Sequence, residues 1–123
     1  MLRDWLNTII KTGPAAQIKW IDEVSKIGRE KQKQFLIYFI HLMETAIKLR
    51  LVIAGDEKEA GSLADFALRF NKLCNIEQQE AIVNELDQAI YYIERNANAK
   101  MLFHALTIKL YHIISNKSVI LVQ

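Results

Sequence analysis

A chain of 123 residues with a net charge of +2, 51% hydrophobic and 24% charged, has the size and composition of one globular domain. So small a positive excess excludes an electrostatic footprint for DNA or RNA, and no apolar run approaches the roughly 20 residues of a membrane span. A single cysteine excludes an internal disulfide framework and any CxxC metal pair, and with no cationic-then-apolar leader the expected compartment is the cytoplasm.

One proline and four glycines leave few places to turn, so long helices with short connections follow. Five or six helices and no strand are expected, in one compact all-α domain over residues 1–123. The first runs from about Arg3 to Thr12, with Trp5, Leu6, Ile9 and Ile10 on one side. Gly13 then stops it, and Pro14 suits the first position of the next helix. The second helix turns Ile18, Ile21, Val24 and Ile27 inward, sets an Asp22–Lys26 pair outward, and ends at Gly28.

The third segment, about Arg29 to Ile53, opens on a solvated turn in which Glu30 interrupts the basic residues from Arg29 to Lys33. At 100° per residue, Tyr38, Leu49, Leu42, Phe35, Ala46, Phe39, Met43, Leu36, Ile47 and Ile40 cover about 200° of arc. A helix lying on one surface needs about half that. This helix should therefore be central and packed on at least two sides. Arg50 points a charge into the apolar arc, near an end where its long stem can snorkel out.

Ala54 to Gly61 reads as a polar loop. Ser62 with Asp65 resembles a capping box for the fourth helix, which is marked by Leu63, Phe66, Ala67, Phe70 and Leu73. Cys74 at its end reads as a buried structural thiol. Asn75 with Gln78 signals another cap, and Glu77 and Glu80 suit the positive end of the fifth helix. Its inward stripe is Ile82, Val83, Leu86, Ala89, Ile90 and Ile93. Either asparagine of Asn96-Ala97-Asn98 can cap the sixth helix, which turns Leu102, Phe103, Leu106, Leu110, Ile113 and Ile114 inward and runs to about Asn116. No repeat of 33 to 45 residues supports a solenoid.

Chemistry is hard to find. The chain has no phosphate loop, no paired-glycine dinucleotide motif, no HExxH and no GxSxG. His41, His104 and His112 are the only imidazoles, and none has a second His or Cys at the four-residue spacing that aims two ligands from one helix. His104 and His112 share a face but stand about 12 Å apart along the axis, too far to chelate one ion. The acids are scattered, with no pair placed for acid–base work. No catalytic residue, cofactor, metal or small-molecule substrate is expected.

What remains is unspent apolar and aromatic surface. Tyr91 and Tyr92 fall away from the inward stripe of the fifth helix, and Met101, His104, Ile108, Tyr111 and His112 form a second stripe on the sixth. Large aromatics, methionine and histidine on an otherwise polar face make the core of a protein interface. The competing reading is that a neighbouring helix covers them within the domain. The tail Val119–Gln123 poses the same choice between docking on the domain and on a partner.

Three stretches of the sequence carry a family resemblance. Arg3-Asp4-Trp5-Leu6 lies upstream of Ile18-Lys19-Trp20-Ile21-Asp22-Glu23. The run Gly28-Arg29-Glu30-Lys31-Gln32-Lys33-Gln34-Phe35-Leu36 opens the long helix, and Ile93-Glu94-Arg95-Asn96-Ala97-Asn98-Ala99-Lys100 leads into the last. In order and spacing, from about Leu2 to Asn116, the chain resembles the C-terminal collar domains of bacterial DNA polymerase III clamp-loader subunits, the delta prime subunit of the Bacteroidetes type above all. The resemblance implies a non-catalytic domain that joins the collar domains of other loader subunits in a five-membered ring. The AAA+ modules of such subunits, absent from this chain, hang beneath that ring and open the sliding clamp onto primed DNA. The domain would then serve a nucleotidyltransferase only by association. The tail after Ser118 has no counterpart in the resemblance. A free-standing helical adaptor that binds an unrelated protein is the alternative, and a nucleic-acid-binding helical domain a weaker one.

Overall fold

A computed structural model describes residues 2–10, 14–51 and 62–115 of the chain. They form six α-helices: α1 (Leu2–Ile10), α2 (Pro14–Ser25), α3 (Arg29–Leu51), α4 (Ser62–Leu73), α5 (Ile76–Glu94) and α6 (Ala99–Ser115). No strand occurs among the described residues, and no described helix is long and apolar enough to cross a membrane. The result is a compact all-α bundle. Helix α3 packs between α4 and α5, α5 leads on to α6, and α6 packs against both α1 and α2.

The helix ends follow local chemistry. Pro14 opens α2, where its missing N–H costs nothing. Gly28 turns the chain into α3 with φ +92°, a left-handed conformation that a side chain would strain. Asn75 and Gln78 form a complete capping box: Asn75 Oδ1 accepts from Gln78 N at 2.8 Å, and Gln78 Oε1 accepts from Asn75 N at 2.7 Å. The two asparagines after α5 divide the work. Asn96, at φ 63°, ends α5 while the N–H groups of Asn96 and Ala97 reach back to Ile93 and Tyr92. Asn98 starts α6 by accepting from Met101 N at 3.0 Å.

The centre of one end is aromatic. Trp5 is fully buried and lies flat on Trp20, centroids 4.6 Å apart and planes within 3°. Phe35 is tilted against it, and Phe39 and Phe103 present edges at 5.9 and 6.0 Å. The indole N–H, which burial would otherwise orphan, donates to Thr107 Oγ1 at 2.9 Å. Thr107 in turn donates to Phe103 O.

The other end is held by buried amides. Arg50 donates to Gln79 Oε1, to Asn71 O and to Cys74 O, so the end of α3 closes the end of α4. Gln79 Nε2 donates to Asn71 Oδ1, and Asn71 Nδ2 to Ala46 O. Gln78 Nε2 reaches Ile113 O and Ile114 O at the end of α6. Among the described residues no buried side-chain nitrogen or oxygen lacks a partner. Cys74 is buried, as its place in the pattern predicts.

Three expectations are corrected. Ile18 does not face inward but is 59% exposed; the inner face of α2 is Trp20, Ile21 and Val24, and Ile18 lies about 110° around the helix from its centre. Ile10 is 41% exposed, and Leu2 takes its place on the buried face of α1. Tyr38 and its neighbour Ile37 stand half exposed on α3, which is central through its contacts with α4 and α5 rather than buried all round. Arg50 is exposed, as its long stem near the end of α3 allows, and three acceptors hold its head group. Thr12, Gly13, Ile53, the 54–61 loop, the Ser62–Asp65 cap and the tail Val119–Gln123 lie outside the described residues or side chains.

Candidate partner interface

Helix α6 has two faces of different character. Phe103, Leu106, Thr107, Leu110 and Ile114 are buried, and Leu102 and Ile113 are half-buried at its edges. On the opposite side Met101, His104, Ile108, Tyr111 and His112 are exposed, Met101 by 73% and Ile108 by 43%. These five recur at three- and four-residue spacing, so they form one strip along the helix. Tyr111 and His112 meet edge to face at 5.5 Å.

An ion pair fixes α2 beside this strip. Lys100 Nζ lies 2.9 Å from Asp22 Oδ1, and Lys26 lies 3.4 Å from the other carboxylate oxygen. The hydrogen bond and charge of Lys100, with the weaker pull of Lys26, hold the Asp22 carboxyl below its ordinary range. The pair sets Ile18 of α2 opposite His104. Together Ile18, Ile21, Lys100, Met101 and His104 line an almost wholly apolar pocket of about 230 Å³. The surface thus extends onto α2 through Ile18, the residue that its own helix turns outward.

The tyrosines of α5 divide. Tyr92 lines a shallow groove with Leu102, Ala105 and Lys109, and so joins the α6 surface. Tyr91 lies under the Arg95 guanidinium, 3.4 Å from ring centroid to Cζ, while Arg95 Nη1 donates to Tyr91 O. It meets Tyr92 edge to face at 5.5 Å. The ring is thereby held in place but half covered by a charge. A salt bridge from Lys109 to Glu85 at 3.4 Å bounds the strip on the α5 side.

An apolar strip rimmed by ion pairs has the anatomy of a protein interface, a dry centre with a polar edge. Of the residues singled out in the sequence, Met101, His104, Ile108, Tyr111 and His112 share this strip, and Tyr91 and Tyr92 sit beside it on α5. Ile18 was missed. Its signal was Trp20: once the larger ring takes the inward face of α2, Ile18 cannot share it.

No group of three or more His, Cys, Asp or Glu side chains among the described residues is arranged to hold a metal ion. No protein-family model, curated protein or solved structure matches the chain.

Proposed function

We propose that this chain is a non-catalytic helical oligomerisation domain, the collar of a bacterial DNA polymerase III clamp-loader subunit of the delta prime type. Its partners are the collar domains of other loader subunits, and its role is to hold the ring that places the sliding clamp on primed DNA. The observation that carries an oligomerisation role is the exposed strip of α6, extended by Ile18 and Tyr92. Helix α6 already buries one face against α1, α2 and α5, and its exposed face still carries Met101, Ile108 and Tyr111.

The clamp-loader assignment is supported by where the resembling residues fall. Trp5 and Trp20 are the stacked pair at the centre of the bundle's aromatic end. Gly28 supplies the left-handed turn into α3, and Asn96 and Asn98 end one helix and begin the next. These five residues of the resemblance therefore sit where the bundle's geometry is set, as a shared fold requires.

The test is co-purification of the chain with the other clamp-loader subunits of its own source, wild type beside Ile108→Glu. Capture by wild type and loss in the variant is the expected result. No capture of any loader subunit by the wild-type chain overturns the assignment and leaves the adaptor reading of the same surface.

A further inference from the structure

Helix α1 rests on α2 and α6, and α4 rests on α3, while α1 and α4 are not among the helix pairs that pack extensively. Between them lies a groove of about 330 Å³ whose apolar wall includes Leu6, Ile10, Phe66 and Leu73. Each helix gives it a whole face. Arg3, Leu6 and Ile10 stand at successive turns of α1, and Phe66, Arg69 and Leu73 at successive turns of α4. The volume falls at the lower end of sites that take a ligand's side chains.

Charge in the groove is one-sided. Arg3 and Arg69 line it from opposite helices, both are exposed, and among the described residues no acid lines it. Among the described residues neither guanidinium is held in an ion pair; Asp65, one turn before Arg69 on α4, does not form one with it. Two arginines flanking an apolar trough offer fixed forks for carboxylates and a dry surface between them. A phosphate chain would find too few cations here and an apolar floor.

We infer that the α1–α4 groove docks a short segment of a partner protein that carries two neighbouring large apolar side chains beside a carboxylate. The apolar pair fills the trough against Ile10 and Phe66, and the carboxylate meets Arg3 or Arg69. This is the helix-in-groove or short-peptide mode of recognition, in which a few anchors supply affinity and charge selects the partner. The site is separate from the α6 strip, so its success or failure is independent of the oligomerisation reading.

A phage-displayed library of random dodecapeptides, panned on the full chain, supplies the probe. Selected peptides are expected to share an apolar pair next to Asp or Glu and to bind more weakly as salt rises. The double variant Arg3→Glu/Arg69→Glu is expected to weaken them by about tenfold or more, and Ile10→Asp to do the same, while Ile108→Glu has no effect. All these positions are exposed, and an unchanged melting temperature verifies that each variant is folded.

Peptides without acids, or binding that survives charge reversal, overturn the inference. So does loss of binding in Ile108→Glu, which would place the peptides on α6. The chain's own 52–61 segment carries Asp56, Glu57 and Glu59. If peptides bind only after those three are changed to Ser, that segment is the occupant and the inference fails. Concentration-dependent dimerisation abolished by the double variant would assign the groove to a second copy and overturn it likewise.

Discussion

The two ends of the bundle are held by opposite physics. At one end Trp5, Trp20, Phe35, Phe39 and Phe103 bury large rings against one another, with a single hydrogen bond to satisfy the indole of Trp5. At the other, Arg50, Asn71, Gln78 and Gln79 tie the ends of α3, α4 and α6 to the start of α5 through directional bonds. Ring burial is nondirectional and scales with area, so it supplies stability. Buried amides gain little net free energy but penalise every arrangement that leaves them unpaired, so they favour one arrangement of helices. If that division is right, truncations at the two ends should differ in size.

The largest loss is expected at the aromatic end. Trp5→Ala and Phe39→Ala should each cost about 3 to 5 kcal/mol, the range for removing a buried ring. Trp5→Ala leaves no orphan, because the Thr107 hydroxyl keeps its bond to Phe103 O. Its cost is therefore lost packing alone. Equilibrium unfolding in urea measures both. A loss below about 1 kcal/mol in either would show that the rings are not the centre of the bundle.

A smaller loss is expected at the amide end. Gln79 is fully buried, accepts from Arg50 and donates to Asn71. Gln79→Ala strips partners from both and should cost about 1 to 3 kcal/mol. The sharper comparison is Gln79→Ala in an Arg50→Met background. If the two residues act as one network, the double variant loses less than the sum of the singles. Strict additivity would mean that the junction is a set of independent contacts and that its role in fixing helix order is wrong.

The same contrast explains what the sequence discloses. Apolar periodicity was enough to place the inner faces of α5 and α6, and Asn75 with Gln78 announced its cap through local spacing alone. Those signals are intrinsic to one helix. Arg50 and Gln79 gave no such signal, since their partners lie 21 to 29 residues away for Arg50 and on another helix for Gln79. Gln32 is buried for a like reason, its amide donating to Val24 O at the end of α2. Ile18 and Tyr38 fail differently: a helix rich in apolar residues has more arc than its neighbours cover, and only tertiary packing decides which part stays dry. The candidate surface was legible on α6 because there the two stripes are separated by nearly half a turn. It was illegible on α2, where the stripe had to be chosen against Trp20.

Smaller still is the effect of the ion pair on the outer edge of the aromatic end. Asp22 is depressed in the folded state, first by Lys100 and then by Lys26. A depressed carboxyl stabilises the fold at pH values above its ordinary 3.8, and that contribution is lost as the pH falls through the folded-state value. Asp22→Asn should therefore melt slightly lower than wild type near neutrality and equally with it in acid. The group is exposed, so added salt should narrow the difference at neutral pH. A gap that persists in acid or in high salt would assign the effect to packing rather than charge.

The smallest effect on folding belongs to the surface that both ends support but neither uses. Ile108 is 43% exposed, on the side of α6 away from the buried rings. A glutamate there keeps its charge in water, and its stem covers much of what isoleucine covered. Ile108→Glu should shift stability by no more than about 0.5 kcal/mol in the isolated chain, as surface substitutions do. In an assembly the same carboxylate would lose its water without gaining a partner. Binding should then weaken by about 2 kcal/mol or more, the scale of an interface anchor. Thermal melting of the chain alone and co-purification with loader subunits read the two quantities separately. Should the lone domain unfold, α6 is core on both faces and the partner surface lies elsewhere. Should melting and capture both survive, the strip is solvated surface and the oligomerisation role loses its carrier. Only an intact domain that no longer assembles fits a helix whose second face was made for another protein.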